Sequence, residues 1–342
     1  MVSSASYKVF ISPETSTWAQ INPTWVLLPA EPTSGVDIVE TLFDDARRGQ
    51  AVQGFRQLEG VHRTELSISC PLYPEETGHL FRSILGPDQY TASNGSTPSL
   101  HVFDTTIMAS ATGNSFAIQI QDAALASNES YTHLGCMVTQ MTIRFNAGEG
   151  LVTMDNTIMG YGMETTYAQA SVVDATNNPW RGWQGRVDAG NMTGRLIEGE
   201  INISRPSDLV FVARKSKFPI SMVPGLIEVT GRMTCSFDDA FNAGTGNLDL
   251  YRGVVNEPVR LTFRYCDPST APALNIEFPK FSYTDSPAEI DRSGNNMTIG
   301  YNFRALEGTV SGTTSYGPAN SRQTNIRVAL YNQRNSQYAV IP

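Results

Sequence analysis

The sequence predicts a mainly β chain of two tandem units, each a β-barrel or sandwich with one flanking helix and a long loop between two of its strands. Three observations carry this. Segments of clean two-residue alternation recur, as in "RTELSISC" and "LIEVTGRMTCSF". Turn formers are abundant, with 28 Gly and 19 Pro, which suits many short strands better than long helices. A set of segments also returns in the same order: "HRTELSISCPLYPEETGHLFRSILG" at 62–86 and "IEVTGRMTCSFDDAFNAGTGNLDLYRGVV" at 227–255. The 342 residues, 40% hydrophobic, suffice for two cores.

The elements follow in order. "YKVFISPE" is a short strand and "VDIVETLF" an extended run that carries Asp37 among apolar neighbours. Asp44–Gly60, polar and without a 3.6-residue period, reads as a long loop of the kind that serves a function. In "RTELSISC", Leu66, Ile68 and Cys70 face one way and Glu65, Ser67 and Ser69 the other. Residues 75–85 read as a helix, opened by Pro74 and two acids, with Leu80, Phe81, Ile84 and Leu85 as its apolar stripe and Gly86–Pro87 as its stop. "HVFDTTIM" and "NSFAIQIQD" are strands, and "CMVTQMTIRF" and "LVTMDNTIMGYG" form a hairpin across "NAGEG". The pattern breaks near 161–180.

The second unit repeats the order. "LIEGEINIS" is a strand, Arg205–Gly225 a second long loop, "LIEVTGRMTCSF" a strand and 248–255 a capped helix; "VRLTFRYC", "LNIEFPKFSYTD" and "MTIGYNFRAL" complete it. Cys70 and Cys235 stand 165 positions apart, Leu80 and Leu250 170, so the second turn is five residues longer. The expected division is 1–165, 166–306 and a polar tail at 307–342 whose strand "NIRVALY" is expected to pair with a neighbouring molecule.

Chemistry is sparse. The four histidines fit neither HExxH nor a serine elbow, the four cysteines form no CxxC, and no Cys/His spacing suits zinc. No catalytic, metal or cofactor site is expected, and the cysteines are expected to be reduced and buried. Trp180 and Trp183 in "PWRGWQG" resemble a sugar platform, though junction packing is the simpler reading. The net charge of −9 lacks the basic footprint of a nucleic-acid grip. The N-terminus has no basic region before an apolar run, and no signal peptide is expected. What remains is a polar, mostly acidic strand face over an apolar one, formed by Glu65, Glu198, Glu200 and Glu228 with Asp37 beside them.

"KVFISPETSTWAQ", "VDIVETLFDDARRG", "RTELSISCPLYPEETGHLFRSILG" and "MVTQMTIRFNAGEGLVTMDNTIMGYG", in that order over roughly 7–165, resemble the tail tube (major tail) proteins of long-tailed bacteriophages. Residues 179–306 resemble a second copy of that fold. The resemblance implies a structural protein, not an enzyme, that forms stacked rings in the virion tail. With two copies per chain, it implies a trimeric ring that mimics a hexamer. It implies a channel lined by Asp37, Glu65, Glu198, Glu200 and Glu228, through which DNA passes at ejection without specific binding. It also implies ring-stacking loops with Phe55, Phe211 and Phe218 as anchors and Arg47, Arg48, Arg214 and Lys215 as charge partners. The implied partners are further copies of the chain, a tape measure protein inside the tube, and terminator and baseplate or tip proteins, with assembly in the host cytoplasm. A terminator or baseplate ring, a secretion tube and a glycan-binding β-module remain as alternatives.

Overall fold

Alternation in the sequence becomes strand pairing in the structure. A computed structural model of the chain describes residues 7–14, 18–21, 24–44, 56–92, 98–105, 114–122, 130–148, 150–164, 170, 178–189, 196–213, 216–236, 257–264, 272–285, 290–291, 298–310, 322–334 and 336–338. The first half carries β1 (Tyr7–Pro13), β2 (Val26–Leu28), β3 (Glu31–Asp44), β4 (Arg56–Pro71), helix α1 (Gly78–Leu85), β5 (Gln89–Thr91), β6 (Ser99–Asp104), β7 (Phe116–Asp122), β8 (Ser130–Asn146), β9 (Thr153–Gly160) and β10 (Gly162–Glu164). The second carries β11 (Gly185–Ala189), β12 (Leu196–Ser204), the hairpin β13 (Ser207–Val210) and β14 (Ser221–Pro224), β15 (Glu228–Ser236), β16 (Glu257–Arg264), β17 (Ala273–Asp285), β18 (Ile290–Asp291) and β19 (Thr298–Leu306). The tail adds β20 (Gly308–Val310), β21 (Arg322–Thr324) and β22 (Arg327–Asn332). The fold is mainly β.

The two halves pair their strands in one spatial order. In the first it is β3-β4-β9-β8-β7-β1, in the second β12-β15-β19-β17-β16-β11, antiparallel throughout. Their irregularities also coincide. Between Phe116 and Ile118 the β8 partner jumps from Cys136 to His133; between Glu257 and Val259 the β17 partner jumps from Phe281 to Phe278. A second bulge lies between Val138 and Gln140 of β8 and between Tyr283 and Asp285 of β17. Bulges are specific features that re-aim a strand, so matched bulges within a matched order are more informative than matched strands alone.

Two seams join the halves. At the first, Gln140–Asn146 of β8 pairs with β12. At the second, β22 lies between β17 and β6. The tail strand was expected to pair with a neighbouring molecule. Both of its edges are occupied inside its own chain, because its six buried residues (327–332) bridge the two halves.

The core runs under the sheet and around α1, whose eight residues are all buried. Leu80, Phe81, Ile84 and Leu85 are fully enclosed, each burial contributing about 1.5–3 kcal/mol. The helix starts at Gly78, three residues later than expected, because 74–77 form turns and Thr77 spends its hydroxyl on the Tyr73 carbonyl. Glu75 and Glu76 thus precede the helix. The ring of Tyr338 fills the space that a Cβ at Gly78 would need. The Tyr338 hydroxyl donates to the Glu75 carbonyl (2.7 Å), its N–H donates to Asp88 (2.9 Å), and Arg82 donates to its carbonyl (2.8 Å). The helix expected at 248–255 and most of the expected junction, 165–169 and 171–177, lie outside the described residues. Trp180 is buried in the core, in line with junction packing, and Trp183 is 53% exposed. Cys70 and Cys136 are free and buried, and burial pushes the Cys70 thiol up to about 12.

Candidate functional site

Strands β3, β4, β9, β8, β12, β15, β19 and β17 form one continuous strip across both halves. Its buried side carries Leu66, Ile68, Met154, Ile158, Met141, Ile143, Ile201, Ile203, Val229, Met233 and Phe303. Register fixes the composition of the other side, since residues directly opposite in antiparallel strands share a face. One row reads Ser67, Thr157, Gln140, Ser204, Glu228; the next Ser69, Asp155, Thr142, Asn202, Thr230, Arg304. A third reads Thr153, Arg144, Glu200, Arg232, Asn302. Glu198 stands beside Asn146 and Thr234, and Glu65 beside Met159.

Four of the five expected acids therefore share this face. Asp37 does not. It stands opposite Thr64, which is fully buried, so it points to the core side. The imperfect alternation of "VDIVETLF" hides a bulge between Val39 and Thr41, and the β3 acid that joins the polar face is Glu40, through Arg63.

The face is also less acidic than expected, because arginines interleave with the acids. Arg144 bridges Glu200 (2.9 Å) and Asp155. Arg304 reaches Glu228 at 3.0 Å, and Arg63 joins Glu40 (3.0 Å) to Glu65 (3.1 Å). Asn202 and then Arg144 hold the Glu200 carboxyl below its usual range, and Glu200 in turn raises Arg144. Arg63, Arg144, Asp155 and Arg304 were in reach of the sequence: each lies in the polar phase of a recognised strand, but strands read singly do not show which phases share a face.

The first seam is a complete joint between halves. Besides the β8–β12 ladder, Arg205 donates its backbone N–H to Thr139 (2.8 Å) and its guanidinium to the Ile84 carbonyl at the C-terminus of α1 (2.7 Å). A cation there satisfies an orphan carbonyl and the negative end of the helix dipole. The second long loop is a hairpin folded back onto the first half. Leu209 and Met222 pack with Trp18, Met137, Met159 and Tyr161. Phe218 stacks on Tyr161 at 4.8 Å and lies 5.1 Å from His62. Lys217 pairs with Glu59, and with His62 it holds that carboxyl below its usual range. Phe218 is thus engaged inside the chain. Phe211 stays exposed. Arg47, Arg48, Phe55, Arg214 and Lys215 lie outside the described residues. The first loop is shorter than expected, since β4 already begins at Arg56.

The ends of the strip differ from its middle. Among the described residues β3 has a ladder with β4 alone, and β17 beyond Ser282 has a ladder with β19 alone. The counterpart of β3, β12, pairs with Gln140–Asn146 of β8; the stretch that corresponds to those residues starts at Asp285, continues through 286–289, which lie outside the described residues, and ends in β18, which pairs with β19.

None of the curated proteins compared with the chain matches it. A family model described as "Phage tail tube protein" matches residues 8–321, nearly the whole chain. With the fold mainly β and the match spanning both halves, the chain belongs to the phage tail tube protein family.

Proposed function

We propose that this structural component of the virion tail joins side by side into rings, β3 of one chain pairing along β17 of the next as β12 pairs along β8 inside each chain. Each half is one tube unit, with boundaries near 165 and 306, and three chains close a ring of six units. The rings stack into the tube, and the polar face lines the channel through which DNA leaves. The observation that carries this reading is the internal joint, since the same pairing order ends in two edges whose counterparts are already married. An open edge invites pairing with another chain. The matched bulges set the register: Ser204↔Gln140 inside the chain corresponds to Ile38↔Asp285 between chains.

In this arrangement Glu65, Glu198, Glu200 and Glu228 face the channel and Asp37 faces the unit's core side. Three arginines of that face, Arg63, Arg144 and Arg304, are held by carboxylates, so phosphates meet few unpaired cations and release few counterions there. DNA slides rather than sticks. Exposed Phe211 at the tip of the β13–β14 hairpin and the segment with Arg47, Arg48 and Phe55 serve ring-to-ring contacts. A tape measure protein occupies the channel during assembly in the host cytoplasm, and terminator and baseplate or tip proteins close the ends. Electron microscopy of the purified chain tests the proposal: long tubes with three chains per ring are expected. Single closed rings would favour a terminator-type role instead, and a chain that stays monomeric would overturn the reading.

A further inference from the structure

The internal joint has a second part besides the strand ladder, and its external counterpart is bare on both sides. The β13–β14 hairpin has four rungs, Ser207↔Pro224 to Val210↔Ser221. The distal ends of β3 and β4 form an arm with four rungs in the same place, Thr41↔Glu59 to Asp44↔Arg56. Leu209 of the hairpin corresponds to Phe43 of the arm. Leu209, like Met159 and Tyr161, is packed against the cluster of Trp18, Met137 and Met222. Phe43 is 66% exposed.

The receiving surfaces correspond in the same way. The offset that aligns Cys70 with Cys235 sets Ile227 in the place of His62. Following the pairing to the next strand sets Arg304 for Met159, Leu306 for Tyr161 and Glu307 for Gly162. In the first half this surface is covered by Phe218, Leu209 and Met222. In the second half it is an open groove of about 400 Å³ whose lining includes Leu226, Ile227, Arg304, Leu306 and Glu307. Leu226 is 84% exposed and Leu306 37%.

We propose that the β3–β4 arm of a second copy lies in this groove, with its Phe43 against Leu306 and Arg304. An exposed arm with Leu42, Phe43 and Leu58 and an open groove with Leu226, Ile227 and Leu306 in a largely polar lining, on one molecule, whose counterparts cover each other, define complementary halves of one interface. Phe43 and Leu306 lie at opposite ends of the strip, so they meet only between chains and make a head-to-tail contact that a ring closes. Both partners carry both signs, Asp44, Glu59 and Arg56 on the arm and Arg205, Arg304, Glu228 and Glu307 around the groove, so the apolar contact rather than net charge carries the fit. Arg304 over the Phe43 ring adds a cation–π contact.

This contact rests on the side-by-side joining proposed above, and the test separates the two. Cysteines are placed at both positions of the full-length chain (F43C with L306C), and assembled tubes are oxidised mildly before denaturing electrophoresis. A ladder of disulfide-linked chains is expected from the double variant and from neither single variant. Tubes that assemble but run as single chains overturn the arm contact and leave the side-by-side reading standing. An unaltered chain that stays monomeric overturns that reading and the contact with it. Leu306→Asp gives a second reading free of disulfide geometry. Its side chain is partly exposed, so the monomer's Tm is expected to hold while tube yield falls at least tenfold; tubes at full yield overturn the contact.

Discussion

The two halves of the molecule run the same strand order, yet one is finished and the other is not. Around β8 and β12 the sheet is continuous, the second loop covers Trp18, Met159 and Tyr161, and Arg205 closes the end of α1. At the corresponding places of the other two edges, β3 and β17 end without a further strand among the described residues, and Phe43, Leu226 and Leu306 are exposed. Under the proposed function, the joint that folding makes inside one chain is the pattern for the joint that assembly makes between chains.

The sharpest way to break this comparison is to block one edge. Arg205 donates its N–H to Thr139 across the internal joint, and its counterpart on β3 is Val39. Val39→Pro removes the corresponding donor from the open edge. The folded monomer is expected to keep its circular dichroism while tubes disappear; tubes at wild-type length would show that β3 does not pair between chains.

Next in size is the clasp at the second seam. Tyr338 is fully enclosed and ties the tail to α1 and to Asp88. Tyr338→Ala is expected to lower stability by about 3–5 kcal/mol, measured by denaturant unfolding, because it opens a cavity and strands polar groups. Arg205→Ala, which leaves the α1 carbonyls without their donor, is expected to cost about 1–3 kcal/mol, whereas Val39→Ala at the corresponding open edge should leave the monomer within about 0.5 kcal/mol.

Glu76 gives a pH signature of the first half. Burial first, then the charge of Glu75, raises its carboxyl to about 7. The folded pKa exceeds the unfolded one, so the folded state holds the extra proton and stability falls as pH rises from about 4.5 to about 7. Glu76→Gln is expected to flatten that fall, worth about 2–3 kcal/mol across the window. Equal slopes in the two proteins would remove Glu76 as the cause.

The mildest expected effect lies on the polar face. Glu65→Lys with Glu198→Lys changes side chains that carry no edge contact, so tubes should form normally. DNA ejection should slow, because new unpaired cations attract phosphate within about 8 Å at physiological salt. Unchanged ejection would remove this face from the channel.

Much of this was legible in the sequence, and the losses have physical reasons. Strand alternation, the repeated order and the shared face of Glu65, Glu198, Glu200 and Glu228 follow from a two-residue period that local sequence displays directly. Asp37 lies on the buried face although it is polar, because its unbroken register with Thr64 places it there and leaves Ile38 and Glu40 on the polar side; the polarity of one residue does not set a strand's phase. The compensating arginines were missed because charge balance belongs to rows across strands, such as Arg144 with Glu200 and Asp155, which only register reveals. The in-chain pairing of the tail strand and the fold-back of Phe218 are long-range contacts that no local pattern marks.

The central claim is that the edge between chains repeats the joint within the chain. A helical reconstruction of the assembled tube tests it most directly, by showing what lies beside β3. The account expects β17 of a second chain there, Ile38 opposite Asp285, with three chains per ring and the Glu198–Glu200 face toward the channel. A β3 strand paired with anything else, or left exposed in the finished tube, would contradict it.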